Sequence, residues 1–238
     1  MSDGIYVALS GAVAQQTALE TTANNLANVG TPGFQKSRAV FREAMSRATN
    51  GQLKFAAPQG DNVNDEAGAR RSTGRPLDIA LGQGSYISVK TADGTHYTRN
   101  GQLSMAPDGT ITASGGAAVL GEDGNPLKVS PQNGPVKFLQ DGSLMQGEAS
   151  IGRLRQVKIA ATELVREGGS RLTLRQGAAT PAISSDPIEP ETLEESNVSA
   201  IEGMSELVNA NRTFEAMQKA LDTFREADRT VVSKVPST

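Results

Sequence analysis

The stretch Ala23-Asn24-Asn25-Leu26-Ala27-Asn28-Val29-Gly30-Thr31-Pro32-Gly33-Phe34 joins two kinds of chain. Pro32 disfavours a helical Thr31, and Pro followed by Gly fits the central positions of a type II turn, with positive φ at Gly33. Before this stretch the pattern is helical; after it the pattern is not. Counting back, Ile5, Leu9, Ala12, Gln16, Leu19, Ala23 and Leu26 alternate at spacings of four and three, a heptad seam interrupted by the polar Gln16. As a helix, residues 5–28 would extend about 36 Å.

Counting forward, residues 46–75 lose periodicity. Residues 59–68 offer almost nothing to bury, which predicts an extended connector, partly disordered in the isolated chain. From about residue 77 to 176 the period becomes two, and Ser85–Thr91 and 156–160 read as strands. Between them lie Asp93-Gly94, Asn100-Gly101, Asp108-Gly109, Asp123-Gly124, Asn133-Gly134 and Asp141-Gly142, dipeptides that supply the positive φ of tight hairpin turns. So many turns imply short antiparallel strands with no helix of three turns among them.

Residues 181–190 read as a linker containing Pro and acidic residues. Glu189, Glu191, Glu194 and Glu195 read as solvated acids ahead of a helix start, where negative charge suits the helix dipole. Residues 197–235 then lack proline, and Val198, Ile201, Met204, Val208, Phe214, Met217, Leu221 and Phe224 mark one face of a helix of about 35 residues, roughly 50 Å long. The fold class is therefore α+β. Long N- and C-terminal helices form a coiled-coil-like layer, with a small, mostly antiparallel β domain between them. The expected divisions are an N-terminal helix at 1–30, the connector at 31–75, the β domain at 76–185, and a linker with the C-terminal helix at 186–238. A β domain of this size cannot cover both apolar stripes, so partners must. Leu26 and Leu221, one on each seam, are accordingly expected to be exposed or mobile in the monomer and buried only on assembly.

Composition narrows the chemistry. Lys and Arg number 23 against 26 Asp and Glu, a net charge of −3, so no basic surplus exists to neutralise nucleic-acid phosphates. Cysteine is absent and histidine occurs once, which removes thiolate nucleophiles, disulfides and multi-His metal sites. Gly82-Gln83-Gly84 begins like a dinucleotide fingerprint, but the third glycine is missing and a strand follows instead of a helix. His96 is expected beside a hairpin turn. No catalytic, cofactor-binding or metal-ligating set is expected. The N-terminus offers Asp3 where a secretory signal needs a cation, and no segment approaches the length of a membrane-spanning helix. The expectation is a protein that is not membrane-spanning and carries no cleaved signal.

The stretch quoted first resembles the N-terminal signature of the bacterial flagellar rod and hook family. Three further blocks resemble that family in the same order. They are Gly74-Arg75-Pro76-Leu77-Asp78-Ile79-Ala80-Leu81; then Tyr97-Thr98-Arg99-Asn100-Gly101 with Ala118-Val119-Leu120-Gly121; then Leu193 to Val198 with Asn211-Arg212-Thr213-Phe214-Glu215. The chain has no room for the inserted outer domains of hook proteins, and it has the β domain that the smallest rod subunits lack. Phe214, where distal-rod members usually show Tyr, looks more like the proximal-rod members.

The resemblance implies a structural subunit of the basal-body rod that crosses the periplasm, exported by the flagellar type III apparatus. Its implied partners are itself and the other proximal and distal rod subunits. The signature residues Asn24, Asn25, Asn28, Thr31, Pro32, Gly33 and Phe34 and the two helical seams are the implied assembly sites. From the residues alone, a coiled-coil adaptor with a β binding head stays open as an alternative.

Overall fold

The structure, a computed structural model, describes residues 2–45, 54–130 and 132–234. The chain divides into two compact units. A helical unit comprises Met1–Leu26, Ser37–Asp61 and Ser199–Thr238; a β unit comprises Ala27–Lys36 and Asn62–Val198.

In the helical unit, α1 (Ser2–Ala27) ends where Gly30 and Pro32 forbid continuation, and α2 (Ala200–Lys234) runs for 35 residues. Both helices match the expected segments. α1 carries two charged residues, Asp3 and Glu20, and apart from Tyr6 is otherwise small, amide or aliphatic. Gly11 faces Met217, since a Cβ built at Gly11 would lie 3.7 Å from the thioether sulfur. Position 11 lies 16 residues before the end of α1, and position 217 lies 17 residues after the start of α2.

The segment expected as an extended, partly disordered connector carries paired strands. β1 (Ser37–Met45) and β2 (Lys54–Val63) form a two-stranded sheet, and β3 (Arg70–Ser72) follows. Sequence periodicity misses such a ribbon because ladder hydrogen bonds hold it without requiring one apolar face. Residues 46–53 lie outside the described residues.

The β unit is built from short antiparallel strands. β4 (Ile79–Ala80) leads into β5 (Ser85–Thr91), which is buried on both faces and pairs with β6 (Gly94–Thr98) through the Asp93-Gly94 hairpin. The other edge of β5 receives β9 (Ala118–Val119) and β13 (Gln156–Lys158). β7 (Ser104–Met105) and β8 (Ile111–Thr112) extend the sheet beyond β9; β14 (Leu164–Gly168) and β15 (Arg171–Leu174) extend it beyond β6. β16 (Ala182–Ile183) pairs with β13. A separate meander of β10 (Val136–Phe138), β11 (Ser143–Gln146) and β12 (Ala149–Arg153) stands beside this sheet in sequence. Finally β17 (Glu189–Pro190) pairs with β4, and β18 (Thr192–Glu194) pairs with β3.

Alternation along β5 divides the core. Ile87 and Val89 join a cluster with Ile79, Leu81, Leu103, Ile111, Val119, Phe138, Leu144, Leu154 and Ile188. Tyr86 points the other way, into a cluster with Tyr97, Val157, Ile159, Leu164, Leu172 and Val63 from the end of β2. Successive strand residues face opposite sides of a sheet, so one strand contributes to both clusters.

Five of the six expected turn dipeptides have a glycine at positive φ: Gly94, Gly109, Gly124, Gly134 and Gly142. Asn100-Gly101 is the exception and corrects the reading. No turn closes there; Gly101 is present because an added Cβ would lie 1.7 Å from the Ile79 carbonyl oxygen. Three of the Asp-Gly turns repeat one device. Asp108, Asp123 and Asp141 each accept the backbone N–H two residues on, from Thr110, Asn125 and Ser143, and also a side-chain donor of that same residue. Those hydrogen bonds hold all three carboxyls below the usual value of 3.8.

A carboxyl depressed on folding contributes stability above its unfolded pKa and loses it as pH falls through the folded value. Replacing Asp108, Asp123 and Asp141 together by Asn should therefore flatten the fall in melting temperature as pH drops below about 4. Parallel acid limbs for the wild-type and triple-variant proteins would contradict this.

Candidate functional site: the turn after the first helix and the exposed helix faces

The signature residues resolve into separate physical tasks. Asn25, in the helical unit, pairs its carboxamide with the backbone of Ser37: Oδ1 accepts the Ser37 N–H at 2.8 Å and Nδ2 donates to the Ser37 carbonyl at 2.7 Å. Both residues are buried, so the end of α1 and the start of β1 are fastened without exposing a polar group. Asn24 is exposed. In the β unit, the Asn28 side chain accepts from the Thr31 hydroxyl at 3.1 Å, and its carbonyl accepts the Thr31 N–H at 3.1 Å.

The Phe34 N–H donates to the Thr31 carbonyl at 3.2 Å, closing a turn with Pro32 and Gly33 at its centre and φ +63° at Gly33, as the sequence predicts. The structure adds a second reason for glycine. A Cβ at position 33 would stand 2.3 Å from the Arg99 carbonyl oxygen. Phe34 is buried beneath the Arg166 guanidinium, whose carbon lies 4.2 Å from the ring centroid. Next to it, Gln35 accepts from the Tyr86 hydroxyl at 3.1 Å, and burial raises that phenol above its usual pKa.

Three residues outside the predicted signature tie the turn down. Glu194 was expected in a solvated linker; it is instead buried and paired with Arg99, the two side chains being 3% and 0% exposed. Arg99 Nε donates to Glu194 Oε1 at 3.2 Å and Nη2 donates to Oε2, while Nη1 donates to the carbonyls of Gly82 and Ser85. The Gly82-Gln83-Gly84 run thus supplies a turn carbonyl for an arginine. The Glu194 carbonyl in turn accepts the Gly33 N–H at 2.8 Å.

Asn197 is the third. It accepts the Lys36 N–H, donates through Nδ2 to the carbonyls of Asn64 and Glu66, and donates its own N–H to Phe34. Arg70–Glu189 and Arg71–Glu195 are ion pairs across the same strands. The sequence signal for all this was the opposition of three arginines at 70–75 to four glutamates at 189–195, which linear reading separates by more than a hundred residues.

The helix seams divide. On α1, Ala12 is buried, Leu19 and Leu26 are half-buried, and Leu9 and Ala23 are exposed. Beyond α1, Val198 is buried; on α2, Phe214 and Met217 are half-buried. Leu221 is 8% exposed, which corrects the expectation that it is open in the monomer. Ile201, Met204 and Val208 are 82%, 57% and 51% exposed, one aliphatic stripe at spacings of three and four. The side chains of Ile5 and Phe224 lie outside the described residues. His96 lies in β6 just after the hairpin, its Nδ1 2.9 Å from the Thr91 hydroxyl and its Nε2 against the Glu167 carboxylate.

Two family models match the chain at its ends. One described as "Flagella basal body rod protein" covers residues 5–35, and one described as "Flagellar basal body rod FlgEFG protein C-terminal" covers residues 189–234. Whole-length relatives agree. The chain is 35% identical over 242 residues to the flagellar basal-body rod protein FlgF of Escherichia coli, covering 94% of each. It is 31% identical over 247 residues to the FlgF of Mesorhizobium japonicum, covering 98% of this chain and all of that one. To the flagellar basal-body rod protein FlgG of Bacillus subtilis it is 29% identical over 254 residues, covering 95% and 96%.

Gly33→Ala should lower the melting temperature of the β unit by several degrees, since positive φ and a backbone clash together cost at least about 1–3 kcal/mol. A melting temperature within error of wild type would remove both reasons for the glycine. Asn25→Ala should speed exchange of the Ser37 amide about tenfold or more, because a lost buried hydrogen-bond partner costs about 1–3 kcal/mol. Unchanged protection of that amide would deny Asn25 its fastening role.

Proposed function

This chain belongs to the flagellar basal-body rod protein family, and we propose that it polymerises through α1 and α2 into the basal-body rod, the shaft that transmits torque for motility. It is a structural protein and not an enzyme. The observation that carries the assembly reading is the stripe Ile201, Met204 and Val208, together with Leu9 and Val13 on α1, all exposed on the single chain. Burial of such a side chain is worth about 1.5–3 kcal/mol relative to exposure, so a neighbouring subunit that covers these faces is stabilised several-fold over.

A seam covered heterologously, one patch against a different patch on the next copy, does not close on itself and generates a filament. The seam residues Ile5, Leu9, Ala12, Leu19, Ala23 and Leu26, and Val198, Ile201, Met204, Val208, Phe214, Met217, Leu221 and Phe224, are the candidate contacts of a coiled-coil-like layer. The other subunits of the rod are the natural neighbours. The FlgF branch is favoured over FlgG by the shortness of the chain, by Phe214 where distal-rod members usually show Tyr, and by the higher identities of the FlgF relatives named above. Export through the flagellar type III apparatus into the periplasm is the route that membership of the rod family supports. No helix among the described residues is long and apolar enough to cross a membrane.

Met204→Asp and Ile201→Asp place a charge on a face that must become dry on assembly, a cost larger than the apolar burial forgone. Each variant should leave the thermal transition of the purified chain within error, because the side chains are already exposed, and should abolish swimming when it replaces the wild-type copy. Normal motility in both variants would rule out this face as an assembly contact.

A further inference from the structure

Glu189 to Asn197 belong to the β unit and bury one large apolar side chain, Leu193, yet neither of the unit's two hydrophobic clusters includes them. The two hydrophobic clusters draw on residues 63 to 188; of the outgoing chain only Ile188 enters either one, and it precedes the segment. What this segment supplies instead is polar closure. Thr73 donates its N–H to the Glu191 carbonyl, Gly33 to that of Glu194, and Glu195 donates to Ala69. Gly68 donates to the Glu194 carboxylate at 3.3 Å, and a Cβ at Gly68 would stand 1.9 Å from the Glu195 carbonyl oxygen, so the two strands lie in close backbone apposition. Asn197 receives Lys36 and reaches Asn64 and Glu66. Nine residues thus bind two incoming pieces of chain, 33–36 and 64–73, which meet each other directly through the Asn64 N–H to the Lys36 carbonyl at 2.8 Å.

We infer that residues 189–197 act as a latch that closes on an already packed β core, with the buried Arg99–Glu194 pair as its bolt. Three observations support a unit that opens and shuts together. Its charges are complementary along its length, Arg70 to Glu189, Arg71 to Glu195 and Arg99 to Glu194. Its strands β17 and β18 each form only a two-stranded pairing, outside the main sheet. And its bolt works all-or-none: Arg99 has no exposure, and among the described residues Glu194 is the carboxylate that neutralises it, so a partly docked segment leaves a buried charge unpaired. Local openings that spare a core are common in folded domains and show as groups of amides exchanging together. In this protein the latch sits at residues that a chain delivered from its N-terminal end presents late, so the β unit completes its closure only when residue 197 is in place.

Native-state hydrogen exchange on the full chain tests the latch directly. The amides of Gly33, Gly68, Thr73, Glu195 and Asn197 should exchange at one shared opening, at least tenfold more often than the core amides of Ile111 and Leu127, which bond to Leu127 and Val119. Glu194→Gln should raise the latch opening a further tenfold or more while leaving the two core amides within twofold. Should that variant fold poorly, Arg71→Gln removes only an exposed pair and should raise all five latch amides together by about twofold to fivefold. Latch amides that open no more often than the core, or that respond to these changes separately, would overturn the proposal.

Discussion

The structure turns on a charge that water cannot reach. Arg99 is fully buried, and a guanidinium there is tolerable only because Glu194 neutralises it and two carbonyls take its remaining nitrogen. That requirement propagates. For Glu194 to arrive, β18 must pair with β3 in the register that puts Glu194 opposite Arg70. For the Glu194 carbonyl to hold the Gly33 amide, the chain leaving α1 must turn within six residues, which fixes Pro32 and Gly33. The backbone of Arg99 then packs so closely on Gly33 that no side chain is admitted there. One ion pair therefore links the sequence features around residues 33, 70, 99 and 194, which share no local pattern.

A division of labour follows for the two ends of the chain. Hydrogen bonds and charge, not apolar bulk, fasten the segments around the helix ends: Asn25 to Ser37, Asn28 to Thr31, Asn197 to Lys36, Asn64 and Glu66. Directional bonds set geometry more sharply than hydrophobic contact does. Aliphatic side chains of α2 are left exposed, as Ile201, Met204 and Val208 illustrate.

How much of this was legible in sequence depends on the range of the interaction. Both helices, the strand Ser85–Thr91, the Pro-Gly turn with its positive φ and five of the Asp/Asn-Gly turns follow from patterns a few residues long. The misreadings are long-range. Glu194 looked solvated because its partner lies 95 residues away. Asn100-Gly101 looked like a turn because dipeptide statistics do not register the Ile79 carbonyl pressing on it. The β1–β2 ribbon lacked a one-sided apolar pattern, and Leu221 looked open because the seam was counted without its intrachain neighbours. The family signature was visible, but the tasks of Asn25 and Phe34 within it were not, since each depends on a partner beyond the signature itself, Ser37 and Arg166.

The Asp-Gly turns carry a chemical consequence. Aspartyl-glycine links are the places where polypeptides age, through attack of the glycine nitrogen on the neighbouring carboxyl group to give a cyclic imide and then an isomerised backbone. That attack proceeds on the neutral acid, whose hydroxyl can leave, and needs a carboxyl free to swing toward the following nitrogen. At Asp108, Asp123 and Asp141 the acid is kept ionised and each carboxylate is tethered to the residue two places on, away from that trajectory. The same hydrogen bonds that shape the hairpins thus shield three labile links from chemical wear.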